Sequence, residues 1–190
     1  MNGLTVRRAA ALAGGCALFA SLAGCGGGVS NGANSAANSS SNGAAAAGGG
    51  WQYTSSTDAM TSAKTTVACV ESDNQVTLQF PYKDTKAQLC VRQNGKTLDS
   101  YVQLDGNGQI LCDFGGCSVR VKFDDAQPKS FPATRAADNS TNIIFLEHTA
   151  QLIASLKKSS KAMVELSYFQ NGDQTLTFST AGLKWGAGAS

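Results

Sequence analysis

Apolar and polar positions along residues 65–185 mostly alternate with a period of two, the spacing of strands with one buried face. Val76, Leu78 and Phe80 alternate with Thr77 and Gln79, which predicts a strand over 75–80 with those three residues buried. Residues 65–71 form a second β-rich run, set off from it by Ser72-Asp73-Asn74, a turn composition, and Pro81 ends the later run. Val119, Val121 and Phe123 alternate with Arg120, Lys122 and Asp124. One stretch breaks the rhythm. Thr149, Leu152, Ile153 and Leu156 recur at helical spacing and predict a helix over roughly 147–158. Glu147 opens it and Lys157-Lys158 closes it, as the helix dipole prefers.

Turn signals then set registers. Asn94-Gly95 between 87–93 and 96–104 is a strong hairpin signal. A two-residue turn there pairs Val91 with Leu98, Leu89 with Ser100 and Ala87 with Val102, and turns Cys90 to the opposite face. Asp105-Gly106-Asn107-Gly108 lacks the carboxylate a calcium loop needs at its twelfth position, so it reads as a turn before a strand restarting at 109–111. Setting Cys112 opposite Cys117 pairs Ile110 with Val119, and the apolar residues then share a face with both cysteines. Residues 131–134 predict a short edge strand and 141–146 a buried one. In the last hairpin the apolar match favours a three-residue loop over 171–173, with Tyr168 against Leu176 and Leu166 against Phe178. Leu183 and Trp185 complete the domain that Trp51 opens. The expected fold is mainly β: an antiparallel, two-layer sandwich-like domain of about nine strands with one packed helix.

Composition divides the chain. Residues 1–24 have a basic start at Arg7-Arg8 and an apolar run over 9–23, too short for the roughly 20 residues a membrane-spanning helix needs. This is the pattern of a cleaved export signal. Residues 26–50 are almost only Gly, Ala, Ser and Asn, without charge, aromatic ring or proline, so the expectation is a disordered tether. A coil of that length and composition spans roughly 25–30 Å, and roughly 85 Å at full stretch. Residues 51–185 are expected to form one β-rich domain, with 186–190 a loose tail.

The formal charge of +2 does not describe that domain. Thirteen acidic and thirteen basic residues lie beyond residue 50, because Arg7 and Arg8 belong to the leader. A balanced domain without a basic run gives no electrostatic reason to expect nucleic acid as a partner. With Cys16 in the leader and Cys25 at its exit, four cysteines remain: Cys69, Cys90, Cys112 and Cys117. An even number in an exported domain points to two disulfides. The shared face of Cys112 and Cys117 pairs those two and leaves Cys69 with Cys90. Zinc ligation is the rival, with Cys112 and Cys117 near finger spacing, but Cys69 and Cys90 stand singly and His148 is the one histidine. No nucleophile-elbow, zinc-protease, phosphate-loop or dinucleotide motif occurs, so neither a metal nor a cofactor is expected. Asp124, Asp125 and His148 are the visible candidates for acid–base chemistry. Adjacent strand residues face opposite ways, and His148 has no assignable partner, so no catalytic residue is expected.

Leu22-Ala23-Gly24-Cys25 resembles the lipobox of bacterial lipoproteins. That resemblance implies a diacylglycerol on the Cys25 thiol, cleavage before it and acylation of the new amino terminus. Gly26 in place of aspartate implies the outer membrane. A wider resemblance, to small proteobacterial and prophage-encoded lipoproteins of unknown activity, is carried by Trp51 with Asp58-Ala59-Met60, Val70-Glu71-Ser72 and Phe80-Pro81-Tyr82. It continues through Leu89-Cys90-Val91-Arg92, residues 119–125, and Phe178 to Gly182-Leu183-Lys184-Trp185. The arginine after a strand, the basic strand ending in aspartate and the closing Phe then Gly-Leu are more distantly similar to accessory proteins associated with type VI secretion. Together these imply an outer-membrane lipoprotein whose domain faces the periplasm, held through its lipid anchor. An envelope protein is the expected partner. The expected role is a non-enzymatic binding or assembly module. The alternatives are an envelope hydrolase with an unannounced site, or an inhibitor of an envelope enzyme.

Overall fold

The computed structural model describes residues 50–186. The leader, the lipobox with Cys25, the tether up to residue 49 and residues 187–190 lie outside the described residues. The domain is mainly β. Its elements run β1 (Gln52–Thr57), β2 (Lys64–Glu71), β3 (Ala87–Asn94), β4 (Thr97–Leu104), β5 (Cys117–Phe123), β6 (Lys129–Arg135), β7 (Ile143–Leu146), α1 (Thr149–Leu156), β8 (Lys161–Tyr168) and β9 (Gly172–Ser179).

The nine strands form one antiparallel sheet in the order β1-β2-β3-β4-β7-β6-β5-β8-β9. It folds over on itself, so its two ends meet. Ser72, just beyond β2, bridges Phe178 of β9, and the Asp73 N–H donates to the Thr177 carbonyl at 2.7 Å. Nearby, the Trp51 indole N–H donates to the Thr180 carbonyl at 2.9 Å. The enclosed core is continuous. It takes Val70, Leu89 and Val102 from one half of the sheet, and Val121, Phe131, Val164 and Phe178 from the other. The helix closes one end, burying Leu152, Ile153 and Leu156. Each of those side chains contributes roughly 1.5–3 kcal/mol of transfer free energy.

Several pairings differ from the expected ones, for local reasons. The β3–β4 hairpin turns at Gly95-Lys96, so Asn94 pairs with Thr97, Val91 with Ser100, Leu89 with Val102 and Ala87 with Leu104. Gly95 takes the first turn position at φ 56°, where a type II′ turn calls for glycine. The shift is two residues, so every side chain keeps its face. The β8–β9 loop is Phe169-Gln170-Asn171, which pairs Val164 with Leu176 and Ala162 with Phe178. Gly172 begins β9 at φ 65°. There too the apolar face is kept while the loop moves.

Residues 75–80 are not a strand. They run beside β9 on side-chain bonds: Asn74 Nδ2 donates to the Thr175 carbonyl, and the Thr77 N–H donates to Gln174 Oε1, both at 2.9 Å. Val76 and Leu78 are buried, but Phe80 is 92% exposed. Residues 109–111 do not pair with β5 either, because β6 and β8 already flank it and Val119 faces Phe131. Ile110 instead bridges Tyr168, and the Leu111 N–H donates to the Ser167 carbonyl at 2.8 Å. The turn before them packs tightly: a Cβ on Gly108 would lie 2.5 Å from Leu104 Cδ1. β6 is an internal strand between β5 and β7, not an edge. β1, which no sequence signal announces, forms an edge.

Candidate functional site

The disulfides join Cys69 to Cys90 and Cys112 to Cys117, with Cα separations of 4.1 and 5.2 Å. Cys69 and Cys90 are direct partners across β2 and β3. The second bond links the loop before β5 to the first residue of that strand. Four cysteines held this way are not zinc ligands, and two disulfides indicate an oxidising compartment outside the cytoplasm. Among the described residues, no helix is long and apolar enough to cross a membrane.

On the outer face of the sheet the Cys69–Cys90 bond continues as a row, because Cys90 pairs with Tyr101 and Tyr101 with Phe145. The Tyr101 and Phe145 rings lie 5.5 Å apart, tilted by 50°. The Arg92 guanidinium sits 5.6 and 5.7 Å from the two ring centres. Its Nε and Nη2 donate to Asp99 Oδ2 at 3.2 and 2.8 Å. Partial burial pushes the Tyr101 phenol above its ordinary value, against the opposing pull of Arg92.

This row borders a cleft of about 660 Å³ between β4, the end of β6, β7 and the start of α1. Phe145 is its aromatic wall, and Asp99, Arg135, Glu147 and His148 bring charge or a titratable ring to its rim. The backbone makes the corner. His148 adopts a left-handed conformation, φ 56° and ψ 39°, and turns the chain from β7 into α1. A non-glycine residue held there is uncommon. Packing fixes the corner from below. The buried Ser100 Oγ donates to the Leu146 carbonyl at 3.0 Å and lies 3.0 Å from Thr149 Oγ1.

The acid–base candidates do not meet. His148 lies in the cleft, exposed, and among the described residues its ring has no hydrogen-bond partner. Asp124 is beyond the far end of α1, a helix about 12 Å long. There its Oδ1 accepts from the backbone N–H groups of Ser160 and Lys161. Asp125 is an exposed turn residue. Three hydroxyls line the cleft: Ser100 and Thr149 are bonded to each other and to the Leu146 carbonyl, and Thr134 is exposed. The cleft thus gathers an aromatic wall, two carboxylates, a guanidinium and an imidazole.

Asp99, Arg135 and Phe145 carry no sequence signal for the cleft, and Glu147 reads in the sequence only as a helix opener. One signal of the register was available: opposite charges at Arg92 and Asp99 face each other only when the hairpin turns at Gly95-Lys96. Comparison with protein-family models, with curated proteins and with solved structures finds no match to this chain.

Proposed function

We propose that this chain is a lipoprotein of the outer membrane, anchored through Cys25, whose periplasmic β domain is a non-enzymatic binding or assembly module. The cleft beside α1 is its recognition surface, and its partner is an envelope protein. The observation that carries this reading is the division of labour around the cleft. Ser100 and Thr149 are used up in holding the corner, while half-buried Phe145, Asp99 and Arg135 and exposed Glu147 and His148 line the cleft. Aromatic and mixed-charge surfaces of this kind recognise partners through packing and complementary charge. The lipobox, the resemblance to proteobacterial and prophage lipoproteins, and the two disulfides support the compartment. The length of residues 26–50 supports a domain that searches near a membrane.

A hydrolase remains the second reading, because His148 and Glu147 share the cleft. One complementation experiment separates the two. The gene is deleted, and the resulting phenotype is tested with chains that fold and reach the membrane. Ala150, exposed at the cleft, is replaced by Arg to fill it; separately, His148, Asp124 and Asp125 are all replaced by Ala. A binding module loses function in Ala150→Arg and is only weakened in the triple variant, which removes one of several rim groups. Complete loss in both variants is what a hydrolase in this cleft predicts, and favours the enzyme. Full activity in both removes the cleft from the account.

A further inference from the structure

Among the described residues, five large apolar side chains are exposed, and four of them belong to three loops gathered at one end of the sheet. Phe80 is 92% and Phe114 91% exposed, while Leu111 and Phe169 are each 42% exposed. Hydrogen bonds bring these loops together. The Gln79 N–H donates to Asn171 Oδ1 at 3.1 Å, which sets Phe80 beside the β8–β9 loop. The Phe169 N–H donates to the Gln109 carbonyl at 3.0 Å, and the Leu111 N–H to the Ser167 carbonyl at 2.8 Å. Phe114 follows three residues later in the loop that Cys112–Cys117 closes. The fifth residue, Met60, stands apart in the β1–β2 loop. Single exposed apolar residues are ordinary; four converging on loop tips are not.

We propose that this end of the domain docks on a phospholipid bilayer, with Phe80 and Phe114 entering the interface and Leu111 and Phe169 resting against it. The proposal rests on the lipid anchor at Cys25. A protein partner would need a concave apolar surface shaped to all four tips, one of which, Phe114, adjoins the cleft rim through Arg135. A bilayer has no fixed shape and accepts rings presented on separate tips. The charge around the tips is mixed, with one cation placed on a ring. The Arg135 guanidinium lies 4.9 Å from the Phe114 ring centre, where it can meet a lipid phosphate, and Lys83 follows Phe80 by three residues in the same loop. Asp84 and Asp113 share these loops, but Asp84 is engaged, its Oδ1 accepting from the Leu78 N–H. Reach is not limiting. The 25 residues from Gly26 to Gly50 extend to at most roughly 85 Å, more than three times the roughly 26 Å of an eight-residue strand. Wherever the chain joins the domain at Trp51, these tips can return to the leaflet that holds the anchor.

The test uses the mature full-length chain on vesicles of phosphatidylethanolamine and phosphatidylglycerol with brominated acyl chains. Phe80→Trp, Phe114→Trp and, as the control distant from this end, Met60→Trp are compared with the wild type, whose own Trp51 and Trp185 set the background. Docking predicts that the tryptophans at the two Phe positions are quenched and blue-shifted, and the one at the Met position is not. Equal quenching in all three variants overturns the proposal. Flotation of the same samples reads the anchor separately, since a chain that does not float refutes the lipid-anchor reading alone. In that event the Cys25→Ser chain and its Trp variants are titrated with vesicles to high lipid concentration. Absence of any emission shift there overturns docking as well.

Discussion

Asp124 and Lys161 hold each other twice: the Asp124 backbone N–H donates to the Lys161 carbonyl, and Asp124 Oδ1 accepts from the Lys161 N–H, both at 2.9 Å. The same oxygen accepts from the Ser160 N–H at 3.0 Å. Asp124 thereby ties the end of β5 to the start of β8, and does so from φ 45°. A carboxylate that resembles half of a catalytic pair is a structural clamp.

Asp124→Ala therefore weakens the fold. It removes a charged acceptor from two backbone donors that water partly reaches, and the expected loss is about 1–2 kcal/mol. Asp125→Ala, at an exposed turn position, stays within about 0.5 kcal/mol of the wild type. Urea unfolding of the two variants checks the contrast. Equal losses would mean that the clamp carries no stability.

The two disulfides close loops of unequal length, 21 and 5 residues in separation. In the chain-entropy model the longer loop restricts the unfolded chain more, by roughly 3 against roughly 2 kcal/mol. Replacing Cys69 and Cys90 together by Ala is expected to cost about 1 kcal/mol more than replacing Cys112 and Cys117. Denaturant midpoints of the two double variants measure this, and the reverse order would contradict it.

Tyr168 is fully buried, and among the described residues its hydroxyl has no hydrogen-bond partner. Burial alone pushes its phenol well above the ordinary value of 10. An acid whose folded pKa is raised leaves stability intact below the unfolded pKa, and stability is lost as pH rises beyond it. The wild type should thus lose stability above about pH 10. Tyr168→Phe removes an unpaired polar group from the core, so it should match or exceed wild-type stability at neutral pH, by up to about 1 kcal/mol. The variant should also show a shallower alkaline decline. Thermal melts at pH 7 and above pH 10 read both effects, and a clear loss at pH 7 would show that the hydroxyl is in use.

What was legible in the sequence was mainly facing. The period-two pattern separates Val119, Val121 and Phe123 from Arg120 and Lys122, and it assigns Leu166, Tyr168, Leu176 and Phe178 to one face whichever loop joins them. A register displaced by an even number of residues leaves that pattern unchanged, which is why the two hairpin turns were misplaced without exposing the core. Choosing between such registers needs pairwise chemistry, and Arg92 opposite Asp99 supplies it in one hairpin. The paths of residues 75–80 and 109–111 are set by neighbours far along the chain, β9 and the end of β8. The cleft is less legible still. It arises where four elements meet at the left-handed His148, and no local spacing foretells that conformation in a histidine.

Anchorage comes first, because the proposed search near a membrane requires it and the proposed docking of Phe80 and Phe114 is argued from it. Cells grown with a clickable fatty acid provide the direct measurement. The wild-type chain is predicted to carry label, to partition with the outer membrane and to begin at Cys25, while Cys25→Ser carries none. Equal labelling of the two chains, or an unlabelled wild type released in soluble form, would contradict the account.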